Sequence, residues 1–268
     1  MSDSFSPLFL SRSPILDTLS WLIPSIDWTT WPTQQQLDTL RRNSLSSSPI
    51  PRFIYPETQP ASPLYYEQQV FQQHEVPTRF ANWHDLFNAL CWLTFPHTKW
   101  SLNQRHIDEL QGQADTRHRT RKRDAATLLD ESGILLPYSS PSLIMALIEH
   151  DWHTLFVTRR AAWQHEIKPL VIGHAIFERA HQPFIGMTAK ALPIPVEPDF
   201  FAWPLPEQLR HLDTLIAHQL IQPDFLATPK EMPPLPYLGI PGWHPGNEQL
   251  AFYQQTTYFR PRHHTKMS

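Results

Sequence analysis

The sequence predicts a mainly α protein, an α+β chain with one small β-hairpin near residues 127–136, folded as a single globular domain with Pro-rich, aromatic N- and C-terminal arms. Three observations carry this. Apolar residues recur at helical spacing through the middle of the chain, and no series of strands alternates with helices as a parallel sheet would require. There are 28 Pro against 7 Gly, none of the glycines before Gly112. The prolines concentrate in residues 49–63 and 193–245, where they fix φ and interrupt helices. At 268 residues the chain is near the limit of one core, long enough to bury about 70 to 75% of its unfolded surface. It divides into an extension over 1–70 that packs on the body and a helical domain over 71–268 that includes the C-terminal arm.

The elements follow in order. "QQQLDTLRR" predicts a helix over 34–42. The N-terminal arm carries Phe53, Tyr55, Tyr65 and Tyr66, aromatic surface that an ordered segment buries and a flexible linker lacks. "NWHDLFNALCWLTF" predicts a helix over 83–95, with Asn82 as N-cap and Asp85 in the first turn, where negative charge suits the dipole. After Asn88 it is apolar on every side, which predicts burial. "TLLDESGILLP" has two apolar runs around Asp130, Glu131, Ser132 and Gly133 and predicts the hairpin, with the glycine left-handed. Ser140 followed by Pro141 starts a helix over 141–149. Further helices are predicted over 152–166, 170–182 and 207–220. The C-terminal arm holds Phe200, Phe201, Trp203, Tyr237 and Trp243.

Composition excludes several classes of function. The formal charge of −3 and pI near 6.6 argue against a generally basic nucleic-acid binder. No GxxxxGK(S/T), GxGxxG or GxSxG pattern is present, so phosphate-cradling loops and a nucleophile elbow have no support. The single cysteine, Cys91, excludes an intramolecular disulfide and fits a cytoplasmic protein. The first residues lack a signal-peptide core, and no apolar run reaches the roughly 18 residues of a membrane span.

Polar residues with apolar neighbours mark the candidate site. A buried helix start needs partners for its N–H groups, and His84 and Asn88 share a face there at i and i+4. "LVIGHAIFERAHQPF" places His174, Glu178 and His181 on one helical stripe. A carboxylate between imidazoles must be paired, protonated or bound to a cation, so His174, Glu178 and His84 form a candidate ligand set for a divalent metal such as zinc. Packing or helix-end roles for these histidines stay open beside that reading. Arg117, Arg119, Arg121, Lys122 and Arg123 make a basic run over 117–123, either a solvated loop or the one place for nucleic-acid contact. Glu131 is a further acid/base candidate, while Asp130 has an adequate role as a turn residue.

"RFANWHDLFNALCWLTFPHTKWSLN", "RDAATLLDESG", "GHAIFE" and "GMTAKALPI" together resemble the bacterial domain of unknown function family 3025. The resemblance runs over roughly residues 70–260. It implies family traits at Asn82, Trp83, His84, Asp85, Asn88, Lys99, Asp130, Glu131, His174, Glu178, Thr188 and Lys190, and a bacterial, cytoplasmic protein. His181 departs from the pattern. The resemblance carries no reaction.

Two readings follow. In the first, the chain is a hydrolase: His84, Asp85, Glu131, His174 and Glu178 perform metal-assisted or general acid/base hydrolysis of a small or phosphorylated substrate, and Asn88, Lys99, Arg105, Arg123 and Lys190 bind it. In the second it is a binding or scaffold protein whose His, Asp and Glu motifs form a buried structural network.

Overall fold

The computed structural model describes residues 5–44, 49–58, 62–111 and 120–262. Helices dominate: α1 (Gln34–Arg42), α2 (Tyr66–Gln73), α3 (Trp83–Thr94), α4 (Pro96–Gln111), α5 (Arg121–Ser132), α6 (Pro141–Glu149), α7 (His174–Arg179) and α8 (Leu205–Ile221). A two-stranded parallel pair joins β1 (Arg52–Ile54) to β2 (Glu75–Pro77). The remaining strands are β3 (Gly133–Tyr138), β4 (Leu170–Val171), β5 (Ala189–Pro195) and β6 (Pro234–Leu235). They form a mixed sheet in the order β4-β3-β5-β6, with β3 parallel to β5 and the outer pairs antiparallel.

The sheet separates two apolar clusters. On β3, Ile134 and Leu136 enter the cluster that holds α3 and the N-terminal segment, while Leu135 enters the one that holds α5 and α8, as the two-residue period of a strand requires. Buried on both faces, "GILLPY" has no polar alternation to announce it. Helix α3 is buried along nearly its whole length, Trp83 and Leu86 through Thr94, in agreement with its all-round apolar sequence. The N-terminal segment belongs to the same core: Phe9 is fully buried with its ring against Trp83 and Phe87. Phe53, Phe200, Tyr237 and Trp243 are buried as expected of ordered arms, whereas Tyr65 is 79% exposed. No helix among the described residues is long and apolar enough to cross a membrane.

The predicted hairpin at 127–136 is corrected. Helix α5 continues through Asp130 and Glu131 to Ser132 and passes straight into β3. Gly133 is extended, with φ −79°. Glycine is needed there for space: an added Cβ would lie 2.3 Å from the Leu129 carbonyl oxygen. Its neighbour across the sheet, Gly173, is as tight, since a Cβ there would lie 2.5 Å from the Gly133 nitrogen and 2.6 Å from the Glu131 carbonyl oxygen. This close approach brings the end of α5 against the start of α7.

Two predicted helices are also broken. The segment 152–166 divides into a π-helical turn at Thr154–Thr158 and a 3-10 turn at Arg160–Ala162. The segment 170–182 is strand β4 followed by the short α7, of which His174 is the first residue. Ser140 precedes α6 as expected, but its hydroxyl meets that of Ser142 and caps no backbone N–H. Of the basic run, Arg117 and Arg119 lie outside the described residues; Arg121, Lys122 and Arg123 form the first turn of α5.

Candidate functional site

Helices α2, α3, α4, α5 and α7, with β2, enclose a cleft of about 380 Å³. From α2 come Tyr66 and Glu67, from α3 His84, Asp85, Asn88 and Trp92, and from α4 Lys99, Asn103 and His106. Helix α5 adds Thr127, Asp130 and Glu131, and α7 adds His174, while Arg79 stands just beyond β2. The α4 residues Lys99, Asn103 and His106 sit at i, i+4 and i+7, and Thr127, Asp130 and Glu131 at i, i+3 and i+4, so each helix presents one polar stripe.

Lys99 is the centre of the floor. It is 3% exposed, and its Nζ donates to Asn88 Oδ1 at 2.9 Å and to Asp130 Oδ1 at 2.5 Å. Burial opposes its charge, yet Asp130 prevails and the ammonium is held above the ordinary lysine value. Burial likewise opposes the Asp130 carboxylate, and Lys99 with His174 holds it below the ordinary value. The pair is therefore ionised. Asn88 continues the chain, donating from Nδ2 to the Tyr66 hydroxyl at 3.0 Å.

The histidines form a second chain. His84 Nδ1 lies 3.0 Å from Glu178 Oε2 and its Nε2 lies 3.2 Å from His174 Nε2. His174 Nδ1 faces Asp130, whose Oδ2 is 3.9 Å away, beyond hydrogen-bond range, and it has no hydrogen-bond partner among the described residues. Burial, more than the Lys99 and His84 charges, pulls the His174 imidazole down to about 4, against the opposing pull of Asp130. His174 is thus a neutral ring next to His84, which is 38% exposed along its side chain.

Proton placement at this dyad is constrained. A carboxylate only accepts, so His84 donates from Nδ1 to Glu178. If both rings are neutral and His174 keeps its proton on Nδ1, toward Asp130, two Nε2 lone pairs confront each other at 3.2 Å. If His174 instead carries it on Nε2, its Nδ1 lone pair faces the Asp130 carboxylate. In the second arrangement His174 donates from Nε2 to His84, and His84 donates from Nδ1 to Glu178, so the three groups form one directed chain.

Several sequence candidates take different places. Asp85 lines the cleft, and its carboxylate accepts two bonds from the Arg79 guanidinium, at 2.8 and 2.9 Å, and one from the Arg79 backbone at 2.8 Å, so it holds Arg79 at the rim. Asn82 caps α3 by accepting from the Asp85 N–H. Arg105 is buried on the far side of α4 and donates to the carbonyls of Leu220, Gln222, Phe225 and Leu226, so its guanidinium is taken up by the end of α8 and the loop beyond it, outside this cleft. Arg123, 8% exposed, and Lys190, on β5 opposite Gly133, are not among the residues that line the cleft. Helix α7 ends at Arg179, and His181 beyond it lies tilted against Trp83 at 4.4 Å between ring centroids, so the His174, Glu178, His181 stripe is broken. Among the described residues no group of three or more His, Cys, Asp or Glu side chains is arranged to hold a metal ion; the two ring nitrogens of His84 are taken by Glu178 and His174. Glu131, by contrast, lines the cleft and makes no ion pair among the described residues.

Residue spacing does not pick out Tyr66, Arg79, Asn103, His106 or Asp130 as site residues. The missing step is recognition of 96–111 and 121–132 as helices, since only then do their polar residues fall on single stripes.

No curated protein and no solved structure matches the chain. The model of a family described as protein of unknown function (DUF3025) matches residues 51–263. With most of its length matched, the chain belongs to that family.

Proposed function

We propose that the protein is an enzyme that hydrolyses a small substrate by general acid/base catalysis, with the His84–His174 dyad as the proton carrier. The observation that carries this is a partly exposed imidazole, His84, oriented by the Glu178 carboxylate at one nitrogen and facing a second imidazole at the other. In its deprotonated form the dyad takes a proton from a cleft water. The oxygen of that water attacks the substrate, the bond to the leaving group breaks, and the leaving group receives the proton from the dyad. Glu178 stabilises the charged dyad and Asp130, fixed by Lys99, does so through space.

The test is a screen of p-nitrophenyl esters, p-nitroanilides and p-nitrophenyl phosphate with wild type, His84→Gln and Glu178→Gln. The expected outcome is turnover by wild type that falls by about 10²- to 10⁴-fold in His84→Gln, with melting temperatures within a few degrees of each other. Glu178 is half exposed, so its loss leaves the fold standing. If the motifs are only a structural network, Glu178→Gln and His174→Ala unfold the chain and no substitution separates turnover from stability.

A further inference from the structure

The hydroxyl proton of Tyr66 has its direction fixed by groups that can only donate. The Lys99 ammonium has no lone pair, so Asn88 must turn Oδ1 to it and Nδ2 away. Nδ2 meets the Tyr66 oxygen at 3.0 Å, and the Trp92 indole N–H, also a donor only, meets the same oxygen at 3.5 Å. Both lone pairs of the phenol are therefore taken, and no acceptor among the described residues receives its proton. Burial raises the phenol above its ordinary value, so the proton stays on the oxygen at neutral pH. The ring lines the cleft.

The fixed charges of the same cleft are already balanced in pairs. Lys99 is matched by Asp130 and Arg79 by Asp85. Glu67 and Glu131 are left at the wall with no ion pair among the described residues. The surplus is negative, which penalises a phosphate dianion and favours a neutral or cationic ligand.

We infer that the cleft binds a small carbonyl compound, neutral or carrying an amine, whose oxygen accepts a hydrogen bond from the Tyr66 hydroxyl while Glu67 and Glu131 face its cationic end. This deepens the hydrolase reading, on which it rests for its chemistry: the Tyr66 O–H is the donor that meets the oxyanion formed when water attacks the carbonyl. Phosphorylated substrates are disfavoured by the same charges.

Binding tests this without turnover. Dissociation constants for 4-(aminomethyl)benzamide, benzamide and phenyl phosphate are measured by ligand-observed NMR on wild type, Tyr66→Phe, Glu67→Gln and Glu131→Gln, with a melt of each variant. The expected order of affinity is the aminomethyl amide first, benzamide second and phenyl phosphate last. Tyr66→Phe weakens both amides by about tenfold, a neutral hydrogen bond's worth, and leaves their ratio unchanged. The two Glu→Gln changes, at positions that leave the fold intact, narrow the gap between the amine-bearing amide and benzamide. Phenyl phosphate binding tightest, Tyr66→Phe binding the amides as wild type does, or no binding of any probe at about 10 mM, near the weakest contact such a method reads, overturns the inference. Amide binding with this pattern but no effect of His84→Gln on any hydrolysis leaves the ligand assignment standing and removes the hydrolase reading.

Discussion

Helix α4 carries two buried basic side chains six residues apart, and they do different things. Lys99 points into the cleft and is held by a carboxylate and an amide, each tied to further polar groups. Arg105 points the other way and is held by four backbone carbonyls at the end of α8 and the loop beyond it. The planar, multidonor guanidinium suits several carbonyls at once, and the compact ammonium suits a single close carboxylate. From the sequence alone both read as groups that neutralise substrate charge. What separates them is the partner: carbonyls do not titrate, whereas Asp130 and His174 beyond it do. Lys99 is part of an ionisable site and Arg105 is part of the scaffold that holds α4 still.

The largest effect expected from breaking this contrast is at Lys99. Lys99→Met leaves Asp130 charged, little exposed and without its partner, and costs about 3 to 5 kcal/mol in urea unfolding. Removing the charge as well, in Lys99→Met with Asp130→Asn, recovers most of the loss. If the double variant is no more stable than the single one, the pair is not the source of the cost.

The next effect is the response to acid. His174 titrates at about 4 in the folded protein against an ordinary value near 6.5 unfolded. Between those values the unfolded chain takes up a proton that the folded chain refuses. The stabilisation from His174 is therefore complete above about pH 6.5, declines as pH falls, and is gone by about pH 4; it amounts to roughly 3 kcal/mol. Asp130, held below its ordinary value, acts in the same direction at lower pH. Urea unfolding at pH 7 and pH 4.5 reads the change. His174→Gln should lose up to one proton of this dependence, and a substitution of Arg105 should keep all of it.

How much of this was legible in the sequence depended on which residues could be assigned to one helix. The patterning of α1, α3, α6 and α8 is strong, and their bounds at 34–42, 83–94, 141–149 and 205–221 lie within two residues of those predicted. The His84, His174 and Glu178 cluster is visible because polar residues stand among apolar ones. Asp130 reads as a turn residue because "DESG" is rich in turn formers, but local turn chemistry yields here to packing: α5 is held against α4 and α7 and keeps its helix through all three polar residues. The α4 stripe escapes the sequence for a different reason, since Pro96 opens that helix and reads as the end of the one before. Pairing of β3 with β5 joins residues more than fifty positions apart, and nothing local encodes it.

The smallest expected effect sharpens the comparison most. Arg105→Lys keeps the charge and the buried stem but cannot reach four carbonyls with one ammonium. The carbonyls of Leu220 and Leu226, in the buried part of the clamp, lose partners, at a cost of about 1 to 2 kcal/mol. Because the clamp contains no group that titrates between pH 4 and 7, the loss is the same at both ends of that range. Because it lies outside the cleft, amide binding at Tyr66 is unchanged once the protein is folded. A variant that loses ligand affinity in proportion to stability would mean that α4 transmits strain from the clamp to Lys99, and that scaffold and site are one cooperative unit.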